Sequence, residues 1–460
     1  MKMFNDLVLR FEKPEWTHNP EFCLLDQLLE THPELYDHVK DDIMRGTKPT
    51  RFGRGDMPTV EQITRAALFK ELRGLTYREL EYAQVDSRVC SRFLKLEGCP
   101  TTYSDSTFQQ YIGKIKANSL NHLLVSLNQI AIDEGLEDIQ KLRTDTTVVE
   151  SNIAYPTNNK LIWDCIKESH RILEKIKEET EGVQFRDYRK SAKKNYYKIN
   201  NTKAKERRAE LFRKQLTTFT KCINQVDQFI RNPQKKICNL REVELHILLP
   251  LMRQVYDISW RKEIEGEKVP NDEKLFSIYE RHTDIIVKGG REVRFGHKVA
   301  LATGKSNLIL DCRVADGNPS DKQLFSESIG SVCDNYGRSP RDVVADGGMA
   351  SQANQDWACS KGIINVVFNK MVGRLKDKVS SKNMQTRLQK WRSGVEAVIS
   401  NYKRKFSMFV CPWKGRPHFD AKVMWSAIAY NIRVMTRLVV EQIRQMTAEA
   451  EKEEAAAMAA

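Results

Sequence analysis

Three acids and two cations carry the chemistry open to this sequence. Asp145 lies in a run rich in β-branched residues, Ile139-Gln-Lys-Leu-Arg-Thr-Asp-Thr-Thr-Val-Val-Glu150. Asp346 directly follows the apolar stretch Val343-Val-Ala345 and precedes a Gly pair. Glu396 sits in Arg392-Ser-Gly-Val-Glu-Ala-Val-Ile-Ser-Asn-Tyr-Lys403, whose spacing predicts a helix with Arg392, Glu396 and Lys403 on nearly one face. Carboxylate oxygens are what hard divalent cations such as Mg²⁺ prefer. Two such ions about 3.5–4 Å apart activate the attacking oxygen and stabilise the leaving oxygen of an in-line phosphoryl displacement. Three clustered carboxylates repel one another unless cations balance them, so this cluster needs its cations. Taken singly, each acid also has a plainer use. Asp145 and Asp346 suit turns or caps, and the Arg/Glu/Lys face suits an exposed, solvated helix. Asp311 and Asp316 compete with Asp346 as the second acid, but Asp311 falls mid-strand and Asp316 in a Gly/Asn/Pro turn that explains it without metal.

The elements that must position these residues follow from periodicity. Residues 1–135 read as helical, with apolar stripes at Leu24, Leu25, Leu28, Leu29 and at Val60, Ile63, Ala67, Leu68, Leu72. Between the stripes, residues 45–58 form a Gly/Pro-rich basic segment that reads as a linker or as an arm for a DNA groove. Thr76 and Glu79 have capping-box spacing, and Ser104 precedes the apolar run Phe108, Tyr111, Ile112, Ile115. These short helices are compatible with a helix-turn-helix reader or a plain packing bundle. Gly135 ends the helical region, and the Asp145 strand follows. Helical periodicity returns from about 160 to 285. Within it, residues 186–214 hold twelve Lys/Arg against three Asp/Glu, interleaved with aromatics. Lys193, Lys194, Arg207 and Arg208 are the candidates there for a phosphate-backbone surface, against the alternative of a solvated helical hairpin. Glu292–Thr303 and Leu308–Val314, joined by Gly304-Lys-Ser-Asn307, read as a β-hairpin, followed by a helix through Ile329, two short apolar strands and the Glu396 helix. On the hairpin, His297 reads equally as a phosphate contact and as a structural strand histidine. Residues 446–460 read as a flexible tail.

The order strand, insertion, hairpin, helix, strand, helix, strand, helix predicts an α/β, RNase H-like mixed sheet flanked by helices. An all-α N-terminal domain (1–135) precedes a catalytic domain (136–445), whose basic helical insertion (160–285) follows the first core strand. Three segments carry a family resemblance. Arg143-Thr-Asp145-Thr-Thr-Val-Val-Glu150-Ser-Asn-Ile-Ala-Tyr155-Pro156-Thr157 closely resembles the first-acid motif of bacterial insertion-sequence transposases of the DDE class, with the ISNCY type the nearest subset. Val344-Ala-Asp346-Gly-Gly-Met-Ala350 resembles their second motif and Arg392…Glu396…Lys403 their third. Where the third motif has a Tyr, this chain has Gln389, and Tyr402 does not replace it by spacing. The resemblance implies that Asp145, Asp346 and Glu396 hold two Mg²⁺ ions, with Mn²⁺ as a substitute. It implies hydrolytic cutting at the element's terminal repeats and attack of the freed 3′-hydroxyls on target DNA. On this reading Arg392 and Lys403 contact phosphates beside the scissile bond; as cations on a helix they equally suit pairing with Glu396. Two other readings stay open: a nuclease of the same fold without strand transfer, and a transposase-derived, non-catalytic DNA-binding protein.

Composition agrees with a polyanionic partner. The 460 residues carry a net charge of +14, with 40% hydrophobic and 30% charged residues. Double-stranded DNA, at element ends and target, is the expected partner, bound by a homodimer or higher oligomer. The ten Cys form no CxxC and no close Cys/His cluster, which argues against structural zinc and a disulfide framework. No apolar run reaches membrane-spanning length, so a cytoplasmic, nucleoid-associated bacterial protein without a membrane partner is expected.

Overall fold

The computed structural model describes residues 19–46, 57–96, 102–231, 238–288, 292–368 and 375–459. Most of the basic segment at 45–58 therefore lies outside the described residues. The chain divides into two compact units, Met1–Glu150 with His297–Ala460, and Ser151–Gly296.

The first unit opens with helices α1 (Pro20–Thr31), α2 (Asp37–Met44), α3 (Val60–Arg73), α4 (Tyr77–Asp86), α5 (Arg88–Phe93), α6 (Asp105–Ile112) and α7 (Ala117–Asp133). Their starts obey the local rules. Thr76 and Glu79 close a reciprocal capping box on α4, and the Ser104 side chain accepts from the Thr107 amide at the start of α6. Strand β1 (Lys141–Ser151) follows, and β3 (Glu292–Thr303) with β4 (Ile309–Val314) form the expected antiparallel hairpin. Then come α12 (Asp321–Tyr336), β5 (Asp342–Ala345), α13 (Gln352–Ser360), β6 (Asn365–Phe368), α14 (Lys382–Arg392), α15 (Gly394–Lys405), the short β7 (Val410–Cys411) and α16 (Arg416–Ala459). In the sheet β3 neighbours β1, β1 neighbours β5 and β5 neighbours β6, while β4 pairs with β3 and β7 with β1. The β1–β5 and β5–β6 pairs are parallel. This order, with β1 central and helices on the sheet, is that of an RNase H-like fold.

The helices of 20–133, expected to stand as a separate domain, share one continuous hydrophobic core with the sheet. Ile63, Leu68, Leu124 and Leu127 belong to the same buried cluster as Leu142, Leu301, Val343 and Trp425. Helix α16 packs on α1, α3, α7 and β4, which removes any packing boundary near residue 135. A buried polar clamp fixes this arrangement. Asn431 on α16 donates to the Ile309 carbonyl (2.8 Å) and accepts from the Ile309 amide (2.8 Å), while Asn128 on α7 donates to the same carbonyl (3.0 Å). The segment read as a tail is helical instead, since α16 runs to Ala459. Its Ala, Glu and Met content makes it a strong helix former.

The second unit holds α8 (Asn158–Glu179), α9 (Arg189–Asn201), α10 (Lys205–Arg231) and α11 (Asn239–Glu263), and its strand β2 (Asp284–Lys288) pairs antiparallel with residues 292–296. Ile162, Ile166, Leu173, Phe212, Leu216, Phe219 and Met252 form its own core. The insertion is therefore a helical bundle with a hydrophobic centre, its basic residues on the outside.

Candidate active site

The parallel register of β1 and β5 pairs Arg143 with Val344 and Thr144 with Ala345. The next residue on each chain is an acid, Asp145 on β1 and Asp346 just past β5. Asp346 ends its strand by capping the 3₁₀ turn Gly347–Met349, which turns the chain away and leaves the carboxylate at the strand's end. Glu396 arrives from the first turn of α15. Its neighbour α14 is held on the sheet by Leu388, which packs with Val344 and Val367.

One guanidinium joins the three acids. Arg392 Nη2 lies 3.1 Å from Asp145 Oδ2 and 3.0 Å from Asp346 Oδ1, and Nη1 lies 3.2 Å from Glu396 Oε1. The Arg392 side chain is only 9% exposed, whereas Glu396 is 65% exposed. The acids thus ring a buried cation from the bottom and open toward solvent at Glu396. Among the described residues no three His, Cys, Asp or Glu groups are gathered closely enough to hold a metal ion. Three carboxylates from separate elements around one positive centre are nonetheless the right donor chemistry for a hard divalent cation; in this structure the positive centre is the Arg392 guanidinium. The rival acids are elsewhere engaged. Asp311 is buried and accepts from Ser328 at 2.9 Å, with burial pushing its carboxyl above the usual range, and exposed Asp316 pairs with Arg416 at 2.7 Å.

Arg143 supports this geometry from beneath. Residues two apart on a strand share a face, so Arg143 and Asp145 follow one another along it. The Arg143 side chain is buried, and burial pulls its guanidinium down to about 10. It donates to Thr303 at the end of β3 (3.1 Å), to Asn307 in the hairpin turn and to the Trp391 carbonyl (2.8 Å), and lies 4.7 Å from the Trp391 ring centre. That carbonyl is the one a continuous helix would offer to the Val395 amide. Its capture by Arg143 accounts for the break between α14 and α15, where the sequence predicts one helix. Arg392 and Glu396 still meet across the break. A Cβ on Gly394 would lie 2.0 Å from Arg143 Nη1, so any larger residue there must push the Arg143 guanidinium aside and disturb its hydrogen bonds. Gly394→Ala is expected to lower the urea midpoint by an amount equivalent to roughly 1–3 kcal/mol through overpacking, and Arg143→Met in the same chain should recover part of it.

The remaining expected site residues fall differently. Lys403 is drawn to β1, its Nζ 2.6 Å from the Val148 carbonyl and 5.4 Å from the Phe409 ring centre. His297 is fully buried and meets Phe419 edge-on at 5.0 Å, so the phosphate contact expected of it gives way to a packing role: a buried imidazole offers a DNA backbone no surface. In the second unit Lys193, Lys194 and Arg207 are exposed, and Arg208 is half-buried with its guanidinium 5.6 Å from the Phe212 ring centre. Gln389 is half-buried one turn before Arg392, and Tyr402 is fully buried with its hydroxyl on the Val423 carbonyl. Sequence reasoning missed Arg143 and Gly394, although both stand inside the motifs. The signal available was an arginine in phase with Asp145 on a strand otherwise filled with β-branched residues.

Fold and acid arrangement together define an RNase H-like domain with Asp145, Asp346 and Glu396 gathered around Arg392. Residues 271–432 match the family described as "Transposase DDE domain", so this part of the chain is similar to the DDE domain of transposases. The matched span contains Asp346, Arg392, Glu396 and Lys403, while Asp145 lies before it and is tied to the site by the β1–β5 pairing. No curated protein and no solved structure matches the chain. Among the described residues, no helix is long and apolar enough to cross a membrane.

Proposed function

We propose that this chain is a DDE-class transposase that binds the terminal inverted repeats of its own element as a dimer or higher oligomer, cuts their ends by metal-assisted hydrolysis and joins the freed 3′-hydroxyls to target DNA. The observation that carries the reading is the convergence of Asp145, Asp346 and Glu396 on one cation. Those three side chains would hold two Mg²⁺ ions, or Mn²⁺ in their place. The bound ions supply activation of the attacking oxygen and charge stabilisation of the leaving one. Arg392 balances the acids until then and, once released, is within reach of the scissile phosphate as a bidentate donor. Lys403 holds α15 on β1 and so fixes Glu396 relative to Asp145. Lys193, Lys194, Arg207 and Arg208 would follow the phosphate backbone on the second unit. The narrower likeness to ISNCY-type elements, and a place on the bacterial nucleoid, rest on the sequence motifs and the charge.

Strand transfer separates this reading from a nuclease of the same fold. With Mg²⁺, duplexes bearing the repeats that flank the coding sequence, supplied pre-cut with 3′-hydroxyl ends, should become joined to a supercoiled plasmid. Nicking of the plasmid without joining would leave only the nuclease.

A further inference from the structure

Away from the acids, the first unit contains a cavity of about 840 Å³ between α4, α6, the end of α15 and the start of α16. Its lining carries five lysines against one carboxylate. The carboxylate, Glu71, is buried and already paired, accepting from Lys70 (3.1 Å) and from Lys422. Although burial pushes the Glu71 carboxyl up, Lys422 and Lys70 hold it below the ordinary range, while burial pulls the Lys70 ammonium down from its own. One wall is aromatic. Tyr77 and Trp413 lie 6.3 Å apart in a stacked arrangement, both half-exposed, with Lys70 Nζ 4.9 Å and 5.5 Å from their ring centres. At the mouth, Lys405 and Lys414 are exposed and have no ion-pair or hydrogen-bond partner among the described residues.

A half-exposed aromatic wall beside surplus ammonium groups matches a flat heteroaromatic ring linked to a phosphate, and the volume suits a ligand of that size. We propose that this cavity is a nucleotide site, taking the base of one nucleoside phosphate against Tyr77 and Trp413 and its phosphate on Lys405 and Lys414. The ligand is either a nucleotide of a DNA strand or a free mononucleotide. Lys405 ends the helix that begins beside Glu396, about 13 Å away along its axis. A strand nucleotide in the cavity would thus lie within a few nucleotides of a phosphate at the acids. In that form the proposal rests on the transposase reading.

The test uses the full chain in EDTA, with a fluorescent five-nucleotide single strand, thymidine 5′-monophosphate and thymidine as probes. The monophosphate is expected to compete with the strand, and thymidine to compete roughly tenfold less well. Lys405→Gln with Lys414→Gln should weaken strand binding about tenfold and lower the salt slope by about 0.7, the share of the one phosphate no longer neutralised. Trp413→Leu should weaken it roughly tenfold by removing a stacking surface. A strand that binds at least tenfold tighter than the monophosphate assigns the site to DNA; equal affinity assigns it to free nucleotide. Wild-type affinity and salt slope in the lysine double variant, whose sites are exposed, would overturn the proposal. So would a monophosphate that fails to compete at millimolar concentration. Because the assay needs no metal, Asp346→Asn must bind the strand as the wild type does. A chain that binds in this way yet neither cuts nor joins DNA keeps the nucleotide site and loses the transposase reading. Cutting that persists in pocket variants with unchanged binding does the reverse.

Discussion

Asp346→Asn is expected to reduce Mg²⁺-dependent end cleavage roughly a thousandfold, about 4 kcal/mol of transition-state stabilisation, with the fold intact. The substitution keeps the shape of the side chain and its cap on the Gly347–Met349 turn, because the amide oxygen can still accept from Gly348. It removes the charge that balances a divalent ion, and Asp346 is 43% exposed, so no buried network collapses with it. Gel assays on repeat-ended duplexes read the cleavage, and circular dichroism checks the fold. The control is the rival acid. Asp316 is almost wholly exposed and, among the described residues, pairs only with Arg416, so Asp316→Asn should cut at the wild-type rate. Equal losses in both variants, or none in Asp346→Asn, would refute the assignment of Asp346 to the metal site.

The acids were legible because their positions are set by local rules. A β-branched run, a short apolar run ending in Asp-Gly-Gly and a helical repeat each name their element, and the parallel β1–β5 register then brings Asp145 beside Asp346. The hairpin and its Gly304–Asn307 turn were legible for the same reason. What stayed hidden depends on interactions between distant segments. Arg143 is tied to Trp391 and Thr303, both more than 150 residues away in the chain, and no periodicity encodes that. The helix break after Arg392 follows from this interaction and not from any strong breaker, since a single Gly is tolerated in many helices. His297 misled because a polar residue on a strand gives no sign of which side of the sheet it faces until the covering helix α16 is placed. The absence of a boundary near residue 135 has the same origin: α16, at the other end of the chain, closes the core over the N-terminal helices.

Replacing Arg392 with methionine is expected to change the metal dependence of the protein before it changes anything else. Methionine keeps much of the apolar stem in its buried slot but leaves Asp145, Asp346 and Glu396 facing one another without a cation. Their repulsion should lower stability in EDTA by roughly 1–3 kcal/mol, below the cost of breaking a fully buried pair because Glu396 and Asp346 are largely solvated. Sign and remedy are both set by the charge: the same carboxylates, no longer occupied by a guanidinium, should bind Mn²⁺ more tightly. Each tenfold gain in affinity corresponds to about 1.4 kcal/mol, and saturation at a hundredfold excess over Kd returns about 2.7 kcal/mol of stability. Thermal melts with and without Mn²⁺, together with direct titration of the ion, read both effects without any DNA. Cleavage should nonetheless fall, since the group proposed to meet the scissile phosphate is gone. Arg392→Lys divides the two roles, because an ammonium can balance the charge of the acids but lacks the planar fork that grips a phosphate with two parallel hydrogen bonds. It should therefore recover much of the metal-free stability and little of the cleavage. An Arg392→Met protein that melts as the wild type does in EDTA and binds Mn²⁺ no better would mean that the guanidinium does not hold the metal's place.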